Sequence, residues 1–560
     1  VFTATLAWRH ARAEPARLPL LALRLLPGGP RRRARGLLNR SGALAAAYAR
    51  WDEGARQEAL SLVDSAARGA RPRRLARLAA FTLAVERPDA AAPLVRRLPA
   101  GRARERLRLR LAAQGGARDE GTAAEAAAGP AGVEPWLAAV PERAGRPGGG
   151  AFEPEATRVL HLVTNSLPHV NAGYTQRTHR IVRAQAEAGL QPHVATRLGF
   201  PLTKGIADTR PHLVLDGVDY HHLLPWRAPR DDAEALREGL RLAGRLVERV
   251  RPSVLHAASN HGNAALALAL GRRYGLPVVY EVRGFLEESW LSRDPARTTS
   301  DPFYVGERAR ETAAMRAADL VVTLGEAMRA EIAGRGVDPA KVLVVPNAVE
   351  DQFRTPLPDG SALRTELGFA PDDVVIGTTT TCYPHEGLDT LIDALALLRK
   401  RGAPARVLIV GDGPELGALR RRAQDLGLGE HAVFPGRVPA GEVRRYHAVL
   451  DLFAVPRTGA RVCRLVTPLK PVEAMAGGLP VVASDVAALA ELVEHGVTGE
   501  LIPPEDAEGW ADTLERLIYS PELRQAYGRA AQRKVDADRT WRKAATTYLD
   551  AYNSLRPVAR

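Results

Sequence analysis

Between Pro468 and Asp485 the chain reads Pro-Leu-Lys-Pro-Val-Glu-Ala-Met-Ala-Gly-Gly-Leu-Pro-Val-Val-Ala-Ser-Asp. The pattern predicts a loop, a helix around Glu473–Ala476, a glycine stop and a buried strand. The loop and the amino end of that helix present unpaired backbone N–H groups to an anion, and Lys470 adds a full positive charge. Glu473 falls on the first turn, where a carboxylate can accept hydrogen bonds from the two hydroxyls of a ribose. Arg457, Arg461 and Arg464 crowd the segment just before it, and an arginine can grip two phosphate oxygens at once. These types at this spacing fit a nucleotide phosphate site. A second signal, Val410-Gly-Asp-Gly-Pro-Glu415, follows an apolar run and opens a helix. Its glycines allow a tight turn, Pro414 suits a first helical turn, and Glu415 complements the positive helix end. By itself that turn is equally well explained as structure.

These groups need elements to carry them, and the surrounding sequence alternates short apolar strands with helices. Strands are predicted at Arg158–Val163, Val254–Ala257, Val278–Val282 and Leu320–Thr323, with a helix from about Thr175 to Ala188 after the first. The alternation restarts at Val374–Gly377, Val407–Val410, Ala432–Phe434, Leu452–Val455 and Val481–Ala483. Two successive runs of βαβ units imply two doubly wound, Rossmann-like parallel sheets. Ligands bind beyond the carboxyl ends of such strands, and the cleft between two facing domains is the natural site.

The 560 residues carry a formal net charge of +14, two cysteines and 46% hydrophobic residues. A chain of this length holds about three or four domains, and its composition excludes wholesale disorder and a disulfide-built scaffold. Cys382 and Cys463 stand alone without metal-ligand spacing, so no metal site is expected. The excess charge sits in residues 1–150, with 27 arginines, no lysine and 13 acids, while the remainder balances. That segment is a candidate for contact with an acidic membrane surface, a polyanionic glycan or an acidic protein partner; the alternative is a plain arginine-rich helical surface. Residues 1–140 read as helical and basic. Their helix pairs, Ala43–Ala67 and Leu75–Leu98, loosely resemble tetratricopeptide-type repeats through Ala46, Tyr48, Gly54, Ala59 and Leu60, with ordinary helical packing as the alternative. Residues 141–156, rich in proline and glycine, read as a linker. No apolar run approaches the roughly 18 to 20 residues that span a bilayer, and the nearest, Leu18–Leu26, contains Arg24. No secretory signal is apparent, so the expected location is cytoplasmic, peripheral at the inner face of the membrane if residues 1–140 dock there.

From Arg158 to about Leu555 the sequence resembles the family-four glycosyltransferases, retaining enzymes of the GT-B architecture. The resemblance rests on Gly173 in the first loop, Val345-Pro-Asn-Ala-Val349, Gly387-Leu-Asp-Thr-Leu-Ile392, Gly411-Asp-Gly-Pro414 and Phe434-Pro-Gly436. Above all it rests on Glu473-Ala-Met-Ala-Gly-Gly-Leu-Pro-Val-Val482. The preceding Thr467-Pro-Leu-Lys-Pro471 is similar to one subset of that family. The resemblance implies an α/β fold of two facing Rossmann-like domains behind an all-α region. Residues 157–345 would be the acceptor domain, 346–530 the nucleotide-sugar domain, and 531–560 a helix returning to the first. The implied reaction moves a sugar, with retention, from a nucleotide-diphosphate sugar to a glycan or lipid-linked acceptor in cell-envelope or secreted glycan synthesis. It implies no metal and no other cofactor, a UDP-sugar in preference to a GDP-sugar as donor, and no nucleic acid partner.

Three departures shape the expected site. A Glu-x7-Glu motif ending at Glu473 would begin at Leu465. The loop that should hold two phosphate-binding basic residues reads Thr378-Thr-Thr-Thr-Cys-Tyr-Pro-His-Glu386 and has neither. Glu281-Val-Arg-Gly284 stands where many relatives place a histidine. A leaving diphosphate gains charge in the transition state, so cations must be aimed at it. Arg457 and Lys470 are the expected replacements, aided by Thr378 and Thr379. Glu473 would hold the ribose, with Thr467 and Leu469 beside it in the donor loop, and Arg437 and Val438 would meet the base. Gly173 would let the first loop approach the phosphate closely. Arg283 and His256 are the reacting-centre candidates of the first half, with Asn171, Tyr174, Arg177 and Glu287 as acceptor candidates. The alternative reading, prompted by the missing glutamate and the bare loop, is a non-catalytic GT-B-shaped scaffold subunit that binds nucleotide or glycan.

Overall fold

The computed structural model describes residues 15–113 and 152–555 apart from 86 and 295; of the linker expected over 141–156, residues 141–151 lie outside the described residues and 155–156 already belong to the first strand. The chain forms two compact units, one of amino-terminal helices and one holding two β-sheets with their covering helices.

In the helical unit, Ala43–Glu53 packs on Arg56–Ala67 and Pro72–Ala84 on Pro88–Arg96. Leu75, Leu78, Phe81 and Leu83 fill its core, and Tyr48 meets Phe81 edge-on with ring centroids 4.7 Å apart. Gly54 ends the first of these helices with φ +86°, a left-handed cap that glycine adopts without strain. The Gly28–Arg40 helix buries none of its residues, exposing Arg32, Arg33, Leu37 and Arg40.

The second unit contains an eight-stranded sheet followed by a six-stranded one. The first is built of β1 (Glu155–Val163), β2 (Gln191–Thr196), β3 (His212–Leu215), β4 (Val218–His222), β5 (Pro252–Ala258), β6 (Val278–Val282), β7 (Leu320–Thr323) and β8 (Val342–Val344). Their order is β3-β4-β2-β1-β5-β6-β7-β8, parallel except for β3 against β4. The second sheet is built of β9 (Val374–Thr379), β10 (Ala405–Val410), β11 (Ala432–Gly436), β12 (Leu452–Val455), β13 (Val481–Ser484) and β14 (Gly499–Ile502), in the order β11-β10-β9-β12-β13-β14. Central strands such as β5 and β9 are buried along their whole length, the continuous apolar runs that helices on both faces of a parallel sheet require. The predicted doubly wound α/β class is therefore the observed one.

The prediction missed β2, β3, β4, β8 and β14. Three of these carry histidines and other polar residues, and β14 is only four residues long. The helix expected over 531–560 is corrected to the end of one helix, Pro521–Asp538, and a second, Trp541–Leu555. The break has a cause: Arg539 turns its carbonyl to the Val349 N–H at 2.9 Å, and Thr540 bridges to Val349, where the chain crosses between lobes. Trp541–Leu555 then packs on the Gly173–Glu187 helix and completes the first lobe's core with Trp541, Tyr548 and Tyr552.

Candidate functional site

In each sheet the strand order reverses once, leaving a crevice at the carboxyl ends of two adjacent strands. In the first sheet it lies between β1 and β5; in the second, between β9 and β12. The threonine loop follows β9 and Arg457 follows β12, so both expected donor elements flank the second crevice. A cavity there is lined by Ser292 of the first lobe and by His385, Thr458, Ala460 and Glu505 of the second.

Lys470–Ala476 is a helix, and Glu473 on it is 3% exposed. Its Oε2 lies 3.8 Å from the Lys470 ammonium, which is half-exposed and has no other ion pair among the described residues. The start of this helix offers fewer donors than the sequence suggests. Pro471 has no N–H, and the N–H groups of Val472 and Glu473 donate to the Leu469 carbonyl at 3.1 and 3.3 Å. Positive potential there comes chiefly from Lys470. Thr467 is buried, its carbonyl accepts from Asn347 Nδ2 at 3.0 Å, and its hydroxyl has no hydrogen-bond partner among the described residues.

Arg457 is buried and engaged. Its Nε and Nη2 donate to the Glu386 carboxylate at 3.2 and 3.0 Å, and Nη1 donates to the Val466 carbonyl at 3.0 Å. Glu386 lies in the loop where basic residues were expected, and the cation that pairs with it stands at the end of β12. Thr378 and Thr379 are buried at the end of β9, and the Thr379 hydroxyl meets His447 Nε2 at 3.1 Å. Burial, with Lys470 and Arg444 nearby, pushes His447 down to about 3, so it is neutral at pH 7. Gly411 supports this loop from behind: with φ +149°, its added Cβ would lie 1.7 Å from the Thr380 carbonyl oxygen. The Gly411–Gly413 turn thus has a packing role. Arg437 is exposed just beyond β11, and Val438 packs partly on the second lobe's core. Burial raises both thiols, Cys382 and Cys463, to about 11, which leaves neither as a nucleophile.

In the first lobe Gly173 opens the Gly173–Glu187 helix, and nothing lies within 4 Å of where its Cβ would be. Tyr174 is exposed, its hydroxyl accepting from Asn165 Nδ2 at 2.7 Å, and Asn171 accepts from Gln176 at 2.9 Å. Three expected contacts are corrected. Arg177 does not reach the cleft surface. It is 2% exposed and donates to Glu281 Oε1, to the carbonyls of Val345 and Pro346, and to Asn347, which ties the first sheet to the crossover segment. His256 is fully buried between the Tyr552 hydroxyl at 2.6 Å and Glu281 at 3.2 Å, and burial lowers its affinity for a proton. Glu287 is buried and paired with Arg335 at 2.7 Å. Arg283 is better placed. Its Nε donates to Glu281 Oε2 at 2.9 Å and its Nη1 to the Tyr174 carbonyl at 2.9 Å, and the neighbouring Gly284 lies against Val466 of the donor loop. Burial opposes the charge on Glu281, yet Arg283 and Arg177 hold it well below the usual carboxylate range.

Sequence reasoning missed Arg180 and Glu491, which join the two lobes, and gave Arg461, which also joins them, a phosphate role instead. Arg180 lies 3.3 Å from Glu473 and 3.0 Å from Glu350. Arg461 reaches Glu288 at 3.0 Å and Glu331 at 3.3 Å across the cleft. Glu491 accepts the N–H groups of Glu326 at 2.8 Å and Ala327 at 2.6 Å, capping a first-lobe helix from the second lobe. Leu465, where the first motif glutamate would stand, packs with Val466 on the first lobe's core. No local pattern marks such pairings, because the partners lie far apart in sequence. Among the described residues no group of three or more histidines, cysteines or acids is arranged to hold a metal ion, and no helix is long and apolar enough to cross a membrane.

Residues 361–534 match the family described as glycosyl transferases group 1, and residues 172–348 match the glycosyl transferase 4-like domain. The chain is 32% identical over 240 residues to a GDP-mannose-dependent alpha-(1-6)-phosphatidylinositol monomannoside mannosyltransferase of Mycobacterium tuberculosis, an overlap of 41% of this chain and 61% of that protein. It is 33% identical over 232 residues to a D-inositol 3-phosphate glycosyltransferase of Jonesia denitrificans, covering 40% and 53%. The chain thus spans between half and two thirds of the length of these relatives. Among solved structures, sucrose-phosphate synthase of Thermosynechococcus elongatus superposes with a TM-score of 0.58 at 19% identity, covering 71% of this chain and 99% of that one. Anabaena HepE in complex with UDP gives 0.54 at 20%, covering 71% and 100%. At such identities the likeness establishes the fold, which is GT-B.

Proposed function

From a chain that carries a glycosyl transferases group 1 domain and a glycosyl transferase 4-like domain, we propose a retaining glycosyltransferase. It moves a sugar from a nucleotide-diphosphate sugar to a glycan or lipid-linked acceptor of the cell envelope. The observation that carries this reading is the donor loop: Lys470, half-exposed and weakly paired, stands beside the buried Glu473 and the unpartnered Thr467 hydroxyl. In this reading Glu473 accepts the ribose hydroxyls and Lys470 meets the diphosphate as it leaves with its charge. Arg457, fixed by Glu386, contributes positive potential from behind. The open space at Gly173 admits a phosphate to the first loop. The sugar reacts on one face, and a leaving phosphate oxygen takes the acceptor proton. A UDP-sugar is the donor in this reading. The basic helical region, through the exposed arginines of Gly28–Arg40, holds the enzyme against an anionic membrane surface.

A second reading, a scaffold that binds nucleotide without transfer, is favoured by one observation: Glu386 neutralises Arg457. Two measurements decide. Thermal unfolding with UDP, GDP, ADP and their sugar conjugates should rise with one nucleotide by mass action, about 2.7 kcal/mol at a hundredfold excess over Kd. That rise should disappear in Lys470→Ala. No shift at millimolar nucleotide would overturn the donor site. A shift without any donor hydrolysis would favour the scaffold.

A further inference from the structure

Arg180 sits on the Gly173–Glu187 helix, seven residues after Gly173 and so on the same face two turns along. Its guanidinium leaves the first lobe. Nε lies 3.0 Å from Glu350 Oε1, Nη2 donates to Glu350 Oε2 at 3.1 Å, and Nη1 donates to Glu473 Oε1 at 3.3 Å. On the far side, Glu473 Oε2 lies 3.8 Å from Lys470. Glu350, Arg180, Glu473 and Lys470 thus form a row of alternating charge running from the crossover segment into the donor loop. Arg180 is 9% exposed and Glu473 3%. A buried carboxylate keeps its place only while its partners stay. Of these partners, Arg180 is the one whose position is set by the other lobe.

We infer that Arg180 is a positioning residue for the nucleotide: it fixes Glu473 through Oε1 and leaves Oε2 for the ribose hydroxyls. The first lobe therefore takes part in nucleotide selection without touching the nucleotide. A planar guanidinium suits the task, since one group must face two carboxylates at once; a lysine ammonium can face only one of them well. This inference rests on the reading of Glu473 as the ribose contact.

The test compares the affinity of wild type, Arg180→Lys and Arg180→Gln for the nucleoside diphosphate that stabilises the wild type and for its 2′,3′-dideoxy analogue. Wild type should favour the ribose form by roughly tenfold or more, the range of hydrogen bonds to a charged group. Arg180→Gln should bring that ratio towards one while changing the dideoxy affinity little. Arg180→Lys, which keeps the charge, should fall between the two and keeps the comparison possible if the glutamine variant folds poorly. A ratio unchanged in both variants, or equal loss for both ligands, would overturn the inference and leave the donor site standing. A wild type that binds both ligands equally would instead remove the ribose role of Glu473, and the inference with it.

Discussion

Lys470 and Arg457 bring the same charge to the donor loop under different constraints. Lys470 has one partner at 3.8 Å and is half-exposed, so its replacement should leave stability within about 0.5 kcal/mol. The loss appears in turnover: Lys470→Met should lower kcat/KM by roughly a hundredfold, the scale of removing one transition-state charge contact, read in a donor-transfer assay. Arg457→Gln should behave in the opposite order, costing about 1–3 kcal/mol because the half-buried Glu386 loses its main partner. Acid should also weaken the fold. His447 and His221 are each pushed down to about 3, burial being the main cause, against an ordinary value near 6.5. Their contribution is fully present above about pH 6.5 and is lost as pH falls towards 3, at about 1.4 kcal/mol per pH unit for each group. Thermal unfolding between pH 7.5 and 5 should show a falling melting temperature, and His447→Gln a shallower fall. Glu473 and Lys470 were legible in the sequence because their chemistry lies within one turn of helix. Arg180 was not, because its role depends on Glu473, 293 residues away.

At the scale of elements, the Glu326–Gly334 helix is capped by a carboxylate from the other lobe. Glu491→Gln should cost about 1 kcal/mol, as lost caps do, measured by denaturant unfolding. Gly325 permits the contact. It is extended, so any side chain suits its backbone, but an added Cβ would lie 2.4 Å from Glu491 Oε2 and 3.1 Å from Thr467 Oγ1. Gly325→Ala should therefore remove the same cap, and combining it with Glu491→Gln should cost clearly less than the sum of the two. The strands read correctly from sequence were those whose β-branched, apolar residues are covered on both faces, such as β6 and β12. β4, Val-Asp-Tyr-His-His, was not read because its histidines are buried by tertiary neighbours, including an antiparallel partner in β3 that local pattern does not reveal. The acid expected at Leu465 had a physical substitute in packing: that position meets an apolar face of the first lobe.

At the scale of the molecule, the charge asymmetry of the sequence becomes a surface. Arg32, Arg33 and Arg40 are exposed on a helix that buries none of its residues, with Leu37 exposed among them. If the proposed docking holds, the full chain should sediment with vesicles of anionic lipid and not with neutral ones. Replacing the three arginines with glutamine should weaken that binding by roughly a hundredfold, at about 1 kcal/mol per residue, and 1 M salt should abolish it. The two-sheet plan was visible in the order of strands, but the return of the chain to its first lobe has a further consequence. Tyr548 and Tyr552 belong to the core around β1 and β5, and they satisfy Glu281, His256 and Gln185. On a ribosome, nearly two hundred residues separate the end of the first sheet from the helix that carries them. At about 5–20 residues per second that is a wait of roughly 10–40 s. During that wait the nascent first lobe holds a carboxylate, an imidazole and an amide without the hydroxyls that complete them. The lobe made first is thus the lobe finished last, and a message cut short after the first sheet lacks the helix that closes that lobe's core.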